Sequence, residues 1–393
     1  MSREQLKQPI YMDSHASTPV DKRVIEAMLP YFTEIYGNTA STDHSFGLNA
    51  SRAVEDARDQ VAKLINCKAE EIIFTSGATE SDNLALKGVA KKYREKGNHI
   101  ITCSTEHKAI LDTCVVLEKE GYTVTYLPVD KYGKIDLQLL ESSITDKTIL
   151  ISIMSANNEI GTIADISKIG KIAHKHGVLF HTDAAQAVGH IPIDVKQMNI
   201  DLMSISAHKV YGPKGVGALY CRGISPRVRP SPIIHGGGHE RGIRSGTINV
   251  PGVVGLGKAL EISSKEMNKE NSIFAKWTKK MYESLNQNLG AKTAVLLNGH
   301  PSDRLSHNLN LYIQGIENKA LINFLQKDLA ISAGSACTTT SMEASHVILA
   351  LGYTEERAFS SIRIGIGRQN TENEIDEATR LIANAVIKLQ KIQ

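Results

Sequence analysis

The stretch DLMSISAHKVYGPKG, residues 201–215, sets Lys209 where a run of small and apolar residues, Leu202 to Ala207, gives way to a Gly- and Pro-rich turn. An amine at the end of a buried strand can form a Schiff base with an aldehyde. If that aldehyde is pyridoxal phosphate, its ring nitrogen needs an acid beside it, because the protonated ring is the electron sink. Asp183 closes the run GVLFHTDA, and Gln186 follows three residues on. A phosphate needs hydroxyls and free amides at a helix start. TSGATESDN offers Gly77, Ala78 and Thr79 there, and Ser206 and His208 flank the lysine with two further donors. Singly, each has a plainer reading: Thr79 as a helix cap, Asp183 as a turn residue, Lys209 as a loop residue in water. Together they meet all three needs at strand ends.

Other chemistries fit less well. GPKGVGALY and HGGGHERG are glycine-rich, but neither matches a P-loop or a G-x-G-x-x-G opening a helix after a strand. The HKH at 174–176 lies on a basic helical pattern and reads as a solvated face. No carboxylate–histidine spacing matches a zinc site, so no metal is expected. The five cysteines, Cys67, Cys103, Cys114, Cys221 and Cys337, are odd in number and form no C-x-x-C pair. That argues against a disulfide framework and for a reducing compartment, the cytoplasm. With 45 basic and 42 acidic residues the net charge is +3, which makes no case for nucleic acid or an anionic membrane as partner. The opening MSREQLKQPIYMD has no apolar stretch of a signal peptide, and no run approaches the roughly 18 apolar residues of a membrane helix.

The elements that must position these residues alternate. EIIFTSG, HIITCST, YTVTYLPV, TILISIMSA, GVLFHTDA, LMSISA and GVGALYC read as strands. Helical patterns such as SRAVEDARDQVAKLI, ESDNLALKGVAKKYREKG, HKAILDTCVVLEKEG and DISKIGKIAHKHG separate most of them. The alternation predicts an α/β fold, with a mainly parallel mixed sheet covered by helices on both faces. Ligands in such sheets bind beyond the carboxyl ends of the strands, where Thr79, His107, Asn158, Asp183 and Lys209 all fall. A long charged helical pattern after residue 255 bridges to a second, smaller α/β unit with the strands HNLNLYI, AISAG and SIRIGIG. The last helix starts at Thr371 with Glu374 three residues on, a capping box.

In FTSGATESDNLALKG, TEHKAIL, NNEIGT, HTDAAQ, SISAHKVYGPKGVGALY, HGGGHERGIRSGT and SAGSACTTT the chain resembles the class V, fold-type I pyridoxal-phosphate enzymes. Within them it is most similar to the group I cysteine desulfurases of the NifS/IscS type, nearly end to end. The resemblance implies that Lys209 binds the coenzyme covalently and later moves the Cα proton, while Asp183 holds the ring N–H. It places Gln186 and Asn158 on the ring hydroxyl side and His107 against the ring, assisting proton transfer. Ala78, Thr79, Ser206 and His208 would bind phosphate, joined by Thr247 from the second subunit of a homodimer. Asn158 and Arg363 would bind the substrate, Arg363 through its carboxylate, since a guanidinium fork takes both oxygens at once. The implied domains are 20–264, large, and 1–19 with 265–393, small. A lone cysteine is usually a buried small hydrophobe, which suits four of the five. Cys337, in AGSACTTTSMEA, has small and hydroxyl neighbours that predict a mobile loop. There a thiolate can take the sulfur of L-cysteine and carry it to an acceptor protein, such as an iron–sulfur scaffold. The alternatives are another class V enzyme, a selenocysteine lyase or small amino-acid aminotransferase, and a scaffold that keeps the fold without the coenzyme. SHASTPVD and SANNEIG depart slightly from the family's usual ATTPVD and V-N-N-E-I-G. With the sequence stopping at Gln393, the docking tail common in scaffold-loading relatives is not expected.

Overall fold

The computed structural model describes residues 8–224, 227–290, 293–334 and 343–391. Strands are numbered along the chain. β1 is Ile10–Tyr11, β2 Ile72–Thr75, β3 His99–Cys103, β4 Thr123–Leu127, β5 Thr148–Ser152 and β6 Leu179–Asp183. β7 is Leu202–Ser206, β8 Gly217–Cys221, β9 Val295–Leu297, β10 Asn308–Ile313, β11 Leu329–Ala330 and β12 Ser361–Gly365.

The seven strand-like runs between residues 71 and 221 build one sheet in the order β2-β8-β7-β6-β5-β3-β4. β4, β3, β5, β6 and β7 pair in parallel, and β8 runs antiparallel between β7 and β2. β3, β5, β6, β7 and β8 are buried along their whole length. A strand with helices over both faces has no wet side, so its sequence is a continuous apolar run rather than an alternation. One face packs Ile101, Ile151, Phe180 and Met203 against helices Ser45–Ile65 and Ile166–Lys175. The other packs Ile73, Ile100, Leu150 and Leu202 against helices Ala78–Tyr93 and Lys108–Lys119. Burying each such side chain stabilises the fold by about 1.5–3 kcal/mol. Because β8 is reversed, β2 points the same way as β6 and β7. The carboxyl ends of β2, β3, β5, β6 and β7 therefore open on one edge.

A second core forms around the sheet β12-β10-β9 and the short parallel pair β1-β11. The chain start is laced into it: Met12 O accepts from Gly365 N (2.8 Å), and Ser14 N donates to Gly365 O (3.1 Å). A Cβ at Gly365 would lie 2.9 Å from the backbone nitrogens of Ser14 and His15, so only glycine permits this approach. The last helix, Glu372–Gln390, has the capping box expected from Thr371 and Glu374 and buries Ile375, Ile382 and Val386. The bridge between the cores is one 40-residue helix, Val250–Leu289. Its first half contributes Val253, Leu256 and Leu260 to the first core, and its second half Phe274, Met281 and Leu285 to the second. Among the described residues, no helix is long and apolar enough to cross a membrane.

Candidate active site

A cavity of about 470 Å³ opens at the shared strand edge, lined by Ala78, Thr79, His107, Asn158, Asp183, Gln186, Ser206, His208, Lys209 and Arg363. Ten residues expected at the site thus meet in one place. Thr247 is exposed and does not line this cavity of its own chain. Cys337 lies outside the described residues.

Local sequence explains each placement. Thr75 ends β2, and the helix Ala78–Tyr93 begins after Gly77, which has φ +151° and provides no side-chain cap. Its first amides are therefore open to an anion, at the positive end of the helix dipole. Ser76 N donates instead to Glu80 Oε2 (2.8 Å), and Glu80 is held by Arg244 Nε (2.7 Å). His107 is the N-cap of helix Lys108–Lys119, its Nδ1 accepting from Ala109 N (3.2 Å). That leaves Nε2 to carry the hydrogen. In NNEIG the two asparagines divide the work. Asn157 Oδ1 accepts from Glu159 N and Ile160 N to build the turn, while Asn158 lines the cavity.

Asp183 ends β6, with Oδ1 accepting from Ala185 N (2.9 Å). Burial raises its carboxyl above the ordinary value, opposed by the nearby His107 ring, the Ala185 amide and the Lys209 ammonium. A cationic ring N–H placed there would relieve that cost. His208 is pushed down to about 4 by burial and by Lys209 and Lys214. It is therefore neutral at physiological pH and serves as a hydrogen-bonding group, its Nδ1 3.3 Å from Ser17 Oγ. Arg363 is 2 % exposed. Its Nη1 donates to Asn158 O (3.0 Å), Nη2 pairs with Asp13 Oδ1 (3.0 Å), and Nε is buried without a partner. The guanidinium is thus already braced by Asp13 and by the Asn158 carbonyl.

The cavity also holds residues that the sequence leaves unmarked, among them His15, Ala16, Lys214 and His346. Lys209 Nζ donates to His15 O (2.5 Å) and Ala16 O (2.9 Å). The only available signal for His15 is its place in SHASTPVD, which reads there as a minor departure from a family pattern. In the HKH segment Lys175 and His176 are exposed, the solvated face expected, while His174 turns inward, its Nε2 2.9 Å from Oδ2 of the buried Asp201. Of the other cysteines, Cys103, Cys114 and Cys221 are buried as expected, and Cys67 is partly exposed. Burial pushes Cys103 up to about 11, and Cys114 and Cys221 up to about 12. Among the described residues, no group of His, Cys, Asp and Glu is arranged to hold a metal.

The donor set fits a phosphorylated pyridine aldehyde. Open helix amides and hydroxyls stand at one end, a buried carboxylate at the floor, and an amine on the wall. The family described as aminotransferase class-V matches residues 10–378. A relative from Rickettsia bellii, described as cysteine desulfurase IscS, is 53% identical over 384 residues, 98% of this chain and 92% of the relative. A solved structure of a NifS-like protein has TM-score 0.88 at 38% identity, covering 96% of this chain and 98% of its own. The structure described as SspA in complex with cysteine has TM-score 0.78 at 39% identity, covering 91% and 98%. The chain therefore belongs to the class V aminotransferase family, in its branch of NifS- and IscS-type cysteine desulfurases.

Proposed function

We propose that the protein is a pyridoxal-phosphate-dependent cysteine desulfurase that converts L-cysteine to L-alanine and leaves a persulfide on Cys337. The reading is carried by one observation: a single cavity gathers Lys209, Asp183, His107 and Arg363 at the strand edge. The cysteine-bound neighbour and the desulfurase relatives support the substrate.

When bound, the coenzyme supplies an electron-withdrawing ring that acidifies the substrate Cα–H and makes its C–S bond labile. The amides of residues 77–79, Thr79 Oγ1, Ser206 and His208 would hold its phosphate. Asp183 would keep the proton on its ring nitrogen. Gln186 Nε2 uses one hydrogen on His15 O (3.0 Å), leaving the other for the ring hydroxyl. Lys209 would hold the aldehyde, and its amine, when free, would take the proton from the substrate Cα. Arg363 binds the substrate carboxylate. The Cys337 thiolate attacks the substrate sulfur. An S–S bond would form and the C–S bond break, its electron pair staying with Cβ, which gains a proton; return of the proton taken from Cα then completes alanine. Sulfur leaves on the protein at the persulfide level, so no outside oxidant is required.

The same reading assigns 20–264 as the large domain, and 1–19 with 265–393 as the small one. It makes the protein a cytoplasmic homodimer that passes sulfur to an acceptor such as an iron–sulfur scaffold, with Thr247 completing the partner's phosphate site. Exposed Leu29, Phe32, Tyr36, Phe46 and Leu48 give an apolar surface for that pairing. The rings of Tyr36 and Phe46 lie 5.3 Å apart within it.

The test is incubation of the protein with L-cysteine, followed by mass measurement of the peptide carrying Cys337. Added sulfur on that peptide, with alanine in solution, is the expected result. Alanine formed by Cys337→Ala at the parent rate would remove Cys337 from the scheme. A parent protein that takes up coenzyme yet makes no alanine from cysteine would point to another class V reaction.

A further inference from the structure

Behind the wall that carries Lys209, three imidazoles from distant parts of the chain are stacked. His15 and His307 have ring centroids 4.6 Å apart at 20°, and His307 and His190 4.3 Å apart at 31°. Phe274 covers the central ring at 6.1 Å. The three are 1 %, 3 % and 5 % exposed. Face-to-face rings do not converge their nitrogens on a point, so this is not a metal centre. Burial pushes all three below the ordinary imidazole value, which keeps the stack neutral and free of mutual repulsion.

Both ends of the stack reach the same lysine. At one end, His190 Nε2 donates to Lys209 O (2.9 Å). At the other, His15 O accepts from Lys209 Nζ and from Gln186 Nε2. His15 Nδ1 donates to Gln186 Oε1 (3.0 Å), so two bonds between His15 and Gln186 fix the amide in one orientation. His15 Nε2 accepts from Asn308 Nδ2 (3.1 Å), and Asn308 is itself tied to Glu159 O (3.1 Å) and Arg304 Nη2 (2.7 Å). That chain of bonds sets the His15 tautomer. An aliphatic side chain would fill each place without burying ring nitrogens. It would keep the bonds to the main-chain carbonyl of residue 15 but could form none of those made by the ring nitrogens.

We propose that His15, clamped by the His15–His307–His190 stack, is a positioning residue that fixes the Lys209 amine and the Gln186 amide at the cavity wall before a ligand arrives. The proposal rests on the reading that this cavity binds pyridoxal phosphate. The experiment compares His15→Leu with His15→Gln, since glutamine can again donate to Gln186 Oε1. It measures coenzyme affinity on the apoprotein, the pH midpoint of the visible band and the melting temperature. His15→Leu should weaken coenzyme binding about three- to tenfold, the equivalent of one hydrogen bond, and displace the midpoint. His15→Gln should restore most of both. If His15→Leu does not fold, His190→Leu against His190→Gln makes the same comparison at the Lys209 carbonyl. Parent-like affinity and midpoint in His15→Leu would overturn the proposal. So would a loss in melting temperature alone, or a loss of affinity that glutamine does not restore at all. A parent protein that develops no visible band with the coenzyme would instead overturn the cavity reading, and this one with it.

Discussion

Replacing Glu240 with alanine should be among the most costly single changes in the chain. Arg58 and Glu240 face each other with side chains 4 % and 3 % exposed. They are joined by two bonds, Nη1 to Oε2 at 2.8 Å and Nη2 to Oε1 at 2.9 Å. Arg58 Nη1 also donates to Ile72 O, and Glu240 Oε2 accepts from Phe74 N (2.8 Å each). The pair thus pins the loop of HGGGHERG to β2, next to the open helix start. Removing the carboxylate leaves a buried guanidinium whose remaining acidic partner is the exposed Glu55 (Nε to Oε1, 3.2 Å), at about 3–5 kcal/mol. It also leaves the Phe74 amide without a partner, at about 1–3 kcal/mol. Glu240 and Arg241 hold φ of 47° and 57°, and relaxing that left-handed backbone returns about 1–2 kcal/mol per residue. The net loss is about 3 kcal/mol, roughly a hundredfold in the unfolding equilibrium. Urea unfolding followed by far-UV circular dichroism, with Trp277 fluorescence reporting on the second core, measures it. The double variant Arg58→Met, Glu240→Leu removes both charges and should regain most of the loss. A Glu240→Ala loss under about 1 kcal/mol, or a double variant less stable than the single one, would refute the argument.

Three further outcomes are expected. Arg363→Lys keeps the charge but loses the two-pronged geometry. It should raise KM for cysteine about tenfold or more, as loss of a charged hydrogen bond implies, with the visible band intact; steady-state kinetics decide, and an unchanged KM removes Arg363 from carboxylate binding. Asp82 is fully buried, its Oδ1 3.7 Å from His181 Nε2. Burial, then repulsion from Asp183, raises its carboxyl well above 3.8. A raised folded value means its contribution to stability is complete below the unfolded value and is lost as pH rises through the folded one. Asp82→Asn cannot ionise and should lose less stability than the parent as pH rises from 5 to about 9, a difference urea midpoints would read; a steeper loss in the variant contradicts the sign. Finally, brief alkylation of the native protein near neutral pH should modify Cys337 before Cys103, Cys114 or Cys221, because only thiolates react and burial holds those three protonated. Peptide mass mapping that found the buried three modified first would contradict this.

The main sheet was legible because each of its strands is a short apolar run ended by turn residues, a signal that survives burial on both faces. β1 and β9 leave no mark, since two or three residues cannot display a period. The cavity was legible wherever a side chain stands at the carboxyl end of a strand or in the first few residues that follow it: Asp183 does the first, and Thr79, His107 and Lys209 the second. His15 was not, because its importance lies in a main-chain carbonyl and in ring stacking with His307, from a remote segment. Neither property has a sequence period. The bracing of Arg363 by Asp13 was hidden for the same reason: it depends on the chain start crossing β12 at Gly365, a tertiary approach that a lone glycine permits without announcing.

The 40-residue helix Val250–Leu289 is about 60 Å long at 1.5 Å per residue. One half is seated with the sheet that holds Lys209, and the other with Ile362 and Ile364, the neighbours of Arg363. It therefore ties the core beside the amine to the core beside the guanidinium. Over an arm of roughly 30 Å, half that length, a tilt of about 2° displaces the far end by about 1 Å. A misplacement of about 1 Å between reacting groups can cost a hundredfold in rate. Substitutions along its middle turns, far from any bound molecule, would then tune turnover through angle alone.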